Sequence, residues 1–293
     1  MQMPMDQLQK LPFLNTFSVV SCPKLIAPRA DIGLPPSIRN LLINSCGVYE
    51  SYLLNAIFTL TSLTTLRLHN CVITALPSAE AFKNLTIVRH LEIVCCSKLA
   101  ALDGIEELTS LTELCIIGCR KLDELVGISS KQMFQATDLS HVGAISPSHF
   151  GKLEKLRISP LILQWEPLRR VNSVTHLTVE NCRCLPEDWL MQNRNHLKHF
   201  GMHDATQLEF LPSTMACLTS LKTLELHGAV LIQSLPELPA SLEVLQILEC
   251  HPMLQRRCKK RRGRDWHKIA HIPRLQIVQD RPSSYSYNFY RGF

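Results

Sequence analysis

Twelve cysteines and twelve histidines stand among the 293 residues, the side chains from which a metal centre or a nucleophilic site would be built. A structural zinc site draws four ligands from close pairs, such as two C-x-x-C steps at finger spacing. Cys95 with Cys96, Cys182 with Cys184, and Cys250 with His251 and Cys258 are the groupings to consider, and none supplies two such pairs. A nucleophilic cysteine or serine needs a base within hydrogen-bond reach. With this many Cys and His, chance pairing carries no information, and no G-x-S-x-G is present. Glycine is scarce at 11, and neither G-x-x-x-x-G-K-[ST] nor G-x-G-x-x-G occurs, which counts against a Rossmann or P-loop enzyme. No metal, cofactor, catalytic residue or small-molecule substrate is expected, and the chain does not read as an enzyme.

The spacing of the cysteines points elsewhere. Leu63, Leu66, Leu68 and Cys71 make an L-x-x-L-x-L-x-x-C frame. The frame returns at Leu14/Phe17/Val19/Cys22, Ile38/Leu41/Ile43/Cys46, Val88/Leu91/Ile93/Cys96 and Leu111/Leu114/Ile116/Cys119. It returns again at Val174/Leu177/Val179/Cys182 and Leu242/Leu245/Ile247/Cys250. Units beginning at Leu153, Leu197 and Leu221 keep the apolar positions without the cysteine, and Ile272/Leu275/Ile277 is an incomplete last one. Most steps are 21 to 25 residues, the period and pattern of leucine-rich repeats.

The physical reading follows from the alternation. The last two apolar residues of each unit fall on one face of a short strand. One such strand cannot bury that face alone, so neighbours stack into a parallel sheet around a continuous core. Seven cysteines occupy the slot after the strand, where a small side chain turns inward, and they are expected to be structural thiols. Leu-Pro pairs at Leu76-Pro77, Leu185-Pro186, Leu211-Pro212 and Leu235-Pro236 mark the returns. The expected fold is an α/β leucine-rich-repeat solenoid, a horseshoe with a parallel concave β-sheet of about eleven repeats.

The expected organisation is a truncated lead-in over 1–10 and a repeat domain over 11–255 with an insertion loop at 126–150. A basic loop at 256–265, a capping strand at 266–280 and a flexible tail at 281–293 complete it. Trp266, Ile269, Ile272, Leu275 and Ile277 would cover the apolar end of the last repeat. Net charge is +6, from 31 basic and 25 acidic residues. Arg256–Arg264 contributes seven basic residues and no acid, so 24 basic residues face 25 acidic ones elsewhere. That balance speaks against a nucleic-acid surface. The run itself reads as a solvated loop, with a nuclear import signal or polyanion contact as the alternative. No apolar stretch in the first third is long enough for a membrane span, and the start is not a secretory signal. Free thiols then imply a reducing compartment, the cytoplasm, with the nucleus as the alternative.

Three units continue past the cysteine as Cys22-Pro23-Lys24-Leu25, Cys96-Ser97-Lys98-Leu99 and Cys119-Arg120-Lys121-Leu122. The C-terminal part runs Glu249-Cys250-His251-Pro252-Met253-Leu254, Arg257-Cys258, then Asp265-Trp266-His267-Lys268-Ile269-Ala270-His271-Ile272-Pro273. These segments resemble plant nucleotide-binding leucine-rich-repeat (NB-LRR) disease resistance proteins, in their C-terminal repeat region, over residues 10–278. The resemblance implies an innate-immune module that binds a pathogen effector or the receptor's own NB-ARC-type nucleotide-binding domain. The nucleotide-binding module itself is not in this sequence. A non-immune repeat scaffold or a ubiquitin-ligase adaptor is the alternative.

The partner surface of such a sheet would be its concave face. Motif positions five and seven supply Arg67, His69, Glu92, Arg157, Glu180, His203, Glu225 and His227 as candidate contact residues. His203 and His227 recur at the same position in adjacent repeats, beside Glu225 and after Glu180, and would form a mixed-charge, pH-sensitive patch. His90, His176 and His199, one residue before the strand apolar position, read as solvated strand-edge residues.

Overall fold

The computed structural model describes residues 5–25, 33–125 and 150–278. Each apolar frame becomes one short strand. The strands are β1 (Thr16–Val20), β2 (Asn40–Asn44), β3 (Thr65–His69), β4 (His90–Val94), β5 (Glu113–Ile117) and β6 (Lys155–Ile158), then β7 (His176–Glu180), β8 (His199–His203), β9 (Thr223–His227), β10 (Val244–Leu248) and β11 (Arg274–Val278). The chain divides into two compact units, residues 1–174 with β1–β6 and residues 175–293 with β7–β11. Within each unit every strand pairs in parallel with its sequence neighbours. The register is one repeat for one repeat, as in Leu66 opposite Leu91 and Leu68 opposite Ile93.

That register stacks the inward residues into two apolar columns. Leu41, Leu66, Leu91, Leu114 and Leu156 form one column of the first unit, with Ile43, Leu68, Ile93, Ile116 and Ile158 in the other, all at most 2% exposed. Leu177, Phe200, Leu224 and Leu245, with Val179, Met202, Leu226 and Ile247, do the same in the second. A parallel strand cannot return by a tight turn, so each repeat needs a crossover. The crossovers carry short helices, such as Tyr49–Asn55, Ala79–Lys83 and Glu187–Gln192, or 3-10 turns, such as Ile105–Glu107 and Ser213–Cys217. The architecture is a leucine-rich-repeat solenoid.

After most strands the next residue makes the inward turn, whereas Ser159 after β6 is extended at φ −66°. Ser45, Asn70, Cys95, Asn181, Asp204 and Glu249 have φ of 49–56°, and Gly118 and Gly228 take the same place at 69° and 68°. Left-handed backbone favours glycine, with Asn and Asp next, which is what most of these positions hold. The turn delivers the following cysteine to the interior. Cys46 Sγ donates to Val19 O at 3.3 Å and Asn44 O at 3.2 Å, and Cys250 Sγ donates to Leu226 O at 3.4 Å and Leu248 O at 3.2 Å. Cys71, Cys96 and Cys119 repeat the pattern, each bonding the preceding strand and its own. The thiols thus find acceptors for their own buried S–H on carbonyls that also take a backbone N–H, as Asn44 O takes that of Ser21 at 2.8 Å.

The insertion expected at 126–150 lies outside the described residues except for Phe150, as does the expected tail at 281–293. The expected lead-in is described only from residue 5, and the expected capping segment only to residue 278. Ile269 and Ile272 are buried there, and Trp266 opens the short helix Trp266–Ile269 half-buried.

Candidate protein-contact face

Alternation along the strands puts three residues of each repeat on the side opposite the core, not two. On β3 they are Thr65, Arg67 and His69; on β4, His90, Glu92 and Val94. The two-residue reading of the motif missed the first row, although period-two alternation alone would have assigned it. That row contributes His90, Glu113, Lys155, His176 and His199.

In the first unit these rows form one continuous ion-pair network. Glu92 receives Arg67 Nε at 3.0 Å, His69 Nε2 at 3.2 Å and His90 Nε2 at 3.5 Å. Neither His69 Nε2 nor His90 Nε2 has hydrogen-bond geometry to Glu92, although both lie close to its carboxylate. His90 Nδ1 then lies 3.0 Å from Glu113 Oε2, and Lys155 Nζ reaches Glu113 Oε1 at 2.6 Å. Burial works against the Glu92 charge, but the imidazoles of His69 and His90 and the Arg67 guanidinium outweigh it. They hold the carboxyl far below the usual range. Glu113 is lowered in the same way, against burial, by Lys155 and His90. His90 is 16% exposed in its side chain, so it is part of the network and not a solvated edge residue.

The same side of β4 and β5 also carries an apolar patch. Val94, Cys115 and Ile117 are buried at 4%, 9% and 3%. Arg157, on β6 opposite Cys115, continues the face.

In the second unit the organising residue is Glu225. It stands opposite Gly201 in the register. With no side chain at Gly201, Glu225 Oε2 extends between two histidines of β8, 3.8 Å from His199 Nε2 and 3.9 Å from His203 Nε2. His203 first, then the charges of His199 and His203 against the effect of burial, hold its carboxyl low. His199 stacks on His176 at 5.6 Å between ring centroids. Burial pushes the His199 pKa down, Glu225 pushes it up, and His176 and His203 push it down again, for a net lowering.

His203 and His227 meet edge-on at 5.8 Å, so the expected pair is adjacent. His227 turns to Glu249 at 3.4 Å rather than to Glu225. Glu180 is opposite His203 but only 7% exposed, so little of it is presented to a partner. The structure thus brings Arg67, His69 and Glu92 together in one unit and His203, His227 and Glu225 in the other.

No known family profile matches the chain, and no curated protein does. Among solved structures it is similar to the leucine-rich repeat domain of the type III effector XopL at 21% identity, covering 87% of this chain and 74% of that one with a TM-score of 0.30. It is similar to a leucine-rich-repeat protein of Leptospira interrogans at 16% identity, covering 94% and 87% with a TM-score of 0.34. The plant peptide hormone receptor RGFR1, solved with RGF2, matches at 14% identity over 91% of this chain and 42% of that one, with a TM-score of 0.37. These superpositions are loose, and the repeat assignment rests on this chain's own strand ladder. Among the described residues no helix is long and apolar enough to cross a membrane.

Proposed function

We propose that the chain is a protein–protein interaction module of a plant innate-immune receptor of the nucleotide-binding leucine-rich-repeat class. Its contact surface is the outward side of the strands, and its partner is a pathogen effector or the receptor's own nucleotide-binding domain. The observation that carries the contact surface is the Arg67–Glu92–His90–Glu113–Lys155 network, which fixes long charged side chains in place before any partner arrives. Side chains ordered in advance lose less entropy on binding. The immune assignment rests on the Cys-x-Lys-Leu units and the Asp265–Pro273 segment.

The test is a binding titration of the chain against a co-encoded nucleotide-binding domain and a panel of secreted pathogen proteins. Arg67→Ala/Glu92→Ala and His203→Ala/His227→Ala are compared with a pair on the return side, Lys83→Ala/Glu80→Ala. The reading expects at least a tenfold loss in one of the face pairs and none in the return pair. Unchanged affinity in both face pairs, with unchanged thermal stability, removes the face from the proposal. Binding of neither partner class removes the immune reading.

A further inference from the structure

The fold divides the basic run Arg256–Arg264 into one structural cation and six presented ones. Arg257 is spent on the buried Asp265, with Nε–Oδ2 and Nη2–Oδ1 both 2.8 Å. Arg256, Lys259, Lys260, Arg261, Arg262 and Arg264 are exposed. Among the described residues, none of these six is ion-paired.

The segment that holds them is a solvent-exposed turn tied by backbone hydrogen bonds. Gly263 N–H donates to Lys259 O at 2.7 Å, Arg262 N–H to Lys259 O at 3.2 Å and Asp265 N–H to Arg257 O at 2.9 Å. Arg261 is left-handed at φ 60°. A Cβ at position 263 would lie 1.9 Å from Arg257 O, so only glycine closes this turn. Cys258, in the middle of the run, is 1% exposed. Crowding six like charges raises the energy of the fold. A segment that nonetheless fixes them side by side, without countercharge, matches a polyanion that brings the countercharge with it.

We propose that this turn docks the protein on an anionic lipid bilayer surface. A nucleic-acid site needs a track of phosphate contacts, and for single strands aromatic faces as well. The run has no aromatic residue, Trp266 beside it is half-buried, and the rest of the chain is charge-balanced. An import receptor reading the run as an extended peptide would have to draw Arg257 and Cys258 out of the fold. A bilayer needs only one compact basic cluster, helped by an apolar side chain at its side. Met253 supplies that: it is 41% exposed and lies one helical turn before Arg256 on the helix Pro252–Arg257.

Co-sedimentation of the full chain with vesicles tests this. The chain binds equimolar phosphatidylcholine–phosphatidylserine vesicles, not phosphatidylcholine alone, and binding weakens as salt rises. Each Lys or Arg near such a surface adds about fivefold, so Lys259→Gln/Lys260→Gln/Arg262→Gln lowers partitioning by about a hundredfold. Lys24→Gln/Lys98→Gln/Lys152→Gln removes the same charge elsewhere and changes it by less than about threefold on that basis. If the first triple variant shifts the melting temperature, Arg256→Gln/Arg264→Gln gives the same comparison with about a twentyfold loss. Equal losses for run and control, no vesicle binding by the wild type, or tighter binding to duplex RNA or polyglutamate than to the vesicles each overturns the proposal.

Discussion

Asp265 and Lys268 both reach back thirty or more residues to Leu235. Asp265 Oδ2 accepts the Leu235 N–H at 3.1 Å, and Lys268 Nζ donates to Leu235 O at 2.6 Å. The two charged members of the C-terminal segment therefore clamp both backbone groups of one residue in the preceding return, and Arg257 neutralises the carboxylate that does it.

Removing Asp265 should accordingly cost more than a surface charge would. Asp265→Ala leaves the buried Leu235 N–H without its acceptor, while the part-exposed Arg257 guanidinium can turn to water, and a loss of about 1–3 kcal/mol is expected. The pH dependence has a definite sign. Burial opposes the Asp265 charge, but Arg257, the Leu235 N–H and Lys268 prevail and lower its pKa. Its contribution is therefore present above the unfolded value of about 4 and is lost as pH falls through the lower folded value. Urea unfolding at pH 7 and pH 3 should show the wild type losing more stability than Asp265→Asn, which keeps only the losses due to the other depressed carboxylates such as Glu92, Glu113 and Glu225. Parallel slopes for both proteins would show that the clamp holds no net energy.

The cysteine slots make a chemical prediction. All twelve cysteines are free, but only Cys95, Cys184 and Cys217 are exposed. Burial is the leading cause that pushes the Cys182 and Cys258 thiols up to about 12, and Cys96, among its bonded neighbours Cys119 and Cys71, is raised to about 12 as well. The thiolate is the reactive form. Iodoacetamide at neutral pH, read by peptide mass spectrometry, should label the three exposed thiols fastest. Cys71, Cys96, Cys182 and Cys258 should react only after denaturation. Native labelling of Cys96 as fast as Cys184 would contradict the interior placement.

The apolar columns should behave as a packed core. Leu68 and Leu114 are 0% and 1% exposed in the ladder of the first unit. Truncating either to Ala opens a cavity and should lower stability by about 2–5 kcal/mol. A change under about 0.5 kcal/mol, the scale of surface substitutions, would mean the frame is misplaced by one residue.

Sequence alone made the repeat legible because burial imposes a period that recurs unit after unit: Leu66 and Leu68 on β3 predict Leu91 and Ile93 on β4. The inward cysteines were legible for the same reason. The outward face was legible only in part. Which residues point outward follows from alternation, but which of them meet depends on neighbours one repeat away. That Glu225 would serve two histidines depends on Gly201 being opposite it, a fact of register rather than of motif. The Arg257–Asp265 pair was hidden because a run of like charges reads as uniformly solvated until its one buried partner is located.

The Glu225 arrangement gives the sharpest electrostatic test. Three groups face the His199 ring besides the burial that lowers its pKa. His176 on β7 and His203 on its own strand lower it further, and only Glu225 on β9 raises it. Two-dimensional NMR titration of His199 in the wild type should therefore give a midpoint below the ordinary histidine value of about 6.5. Glu225→Gln removes the one opposing contribution, so the midpoint should move lower still. His203→Gln removes a like charge and should move it up. Because the folded pKa is depressed, His199 opposes folding as pH falls below about 6.5, and His199→Gln should flatten the loss of stability between about pH 7 and 5. A midpoint that rises in Glu225→Gln would show that the carboxylate does not reach over Gly201 to this ring, and the network in the second unit would reduce to the His203 contact alone.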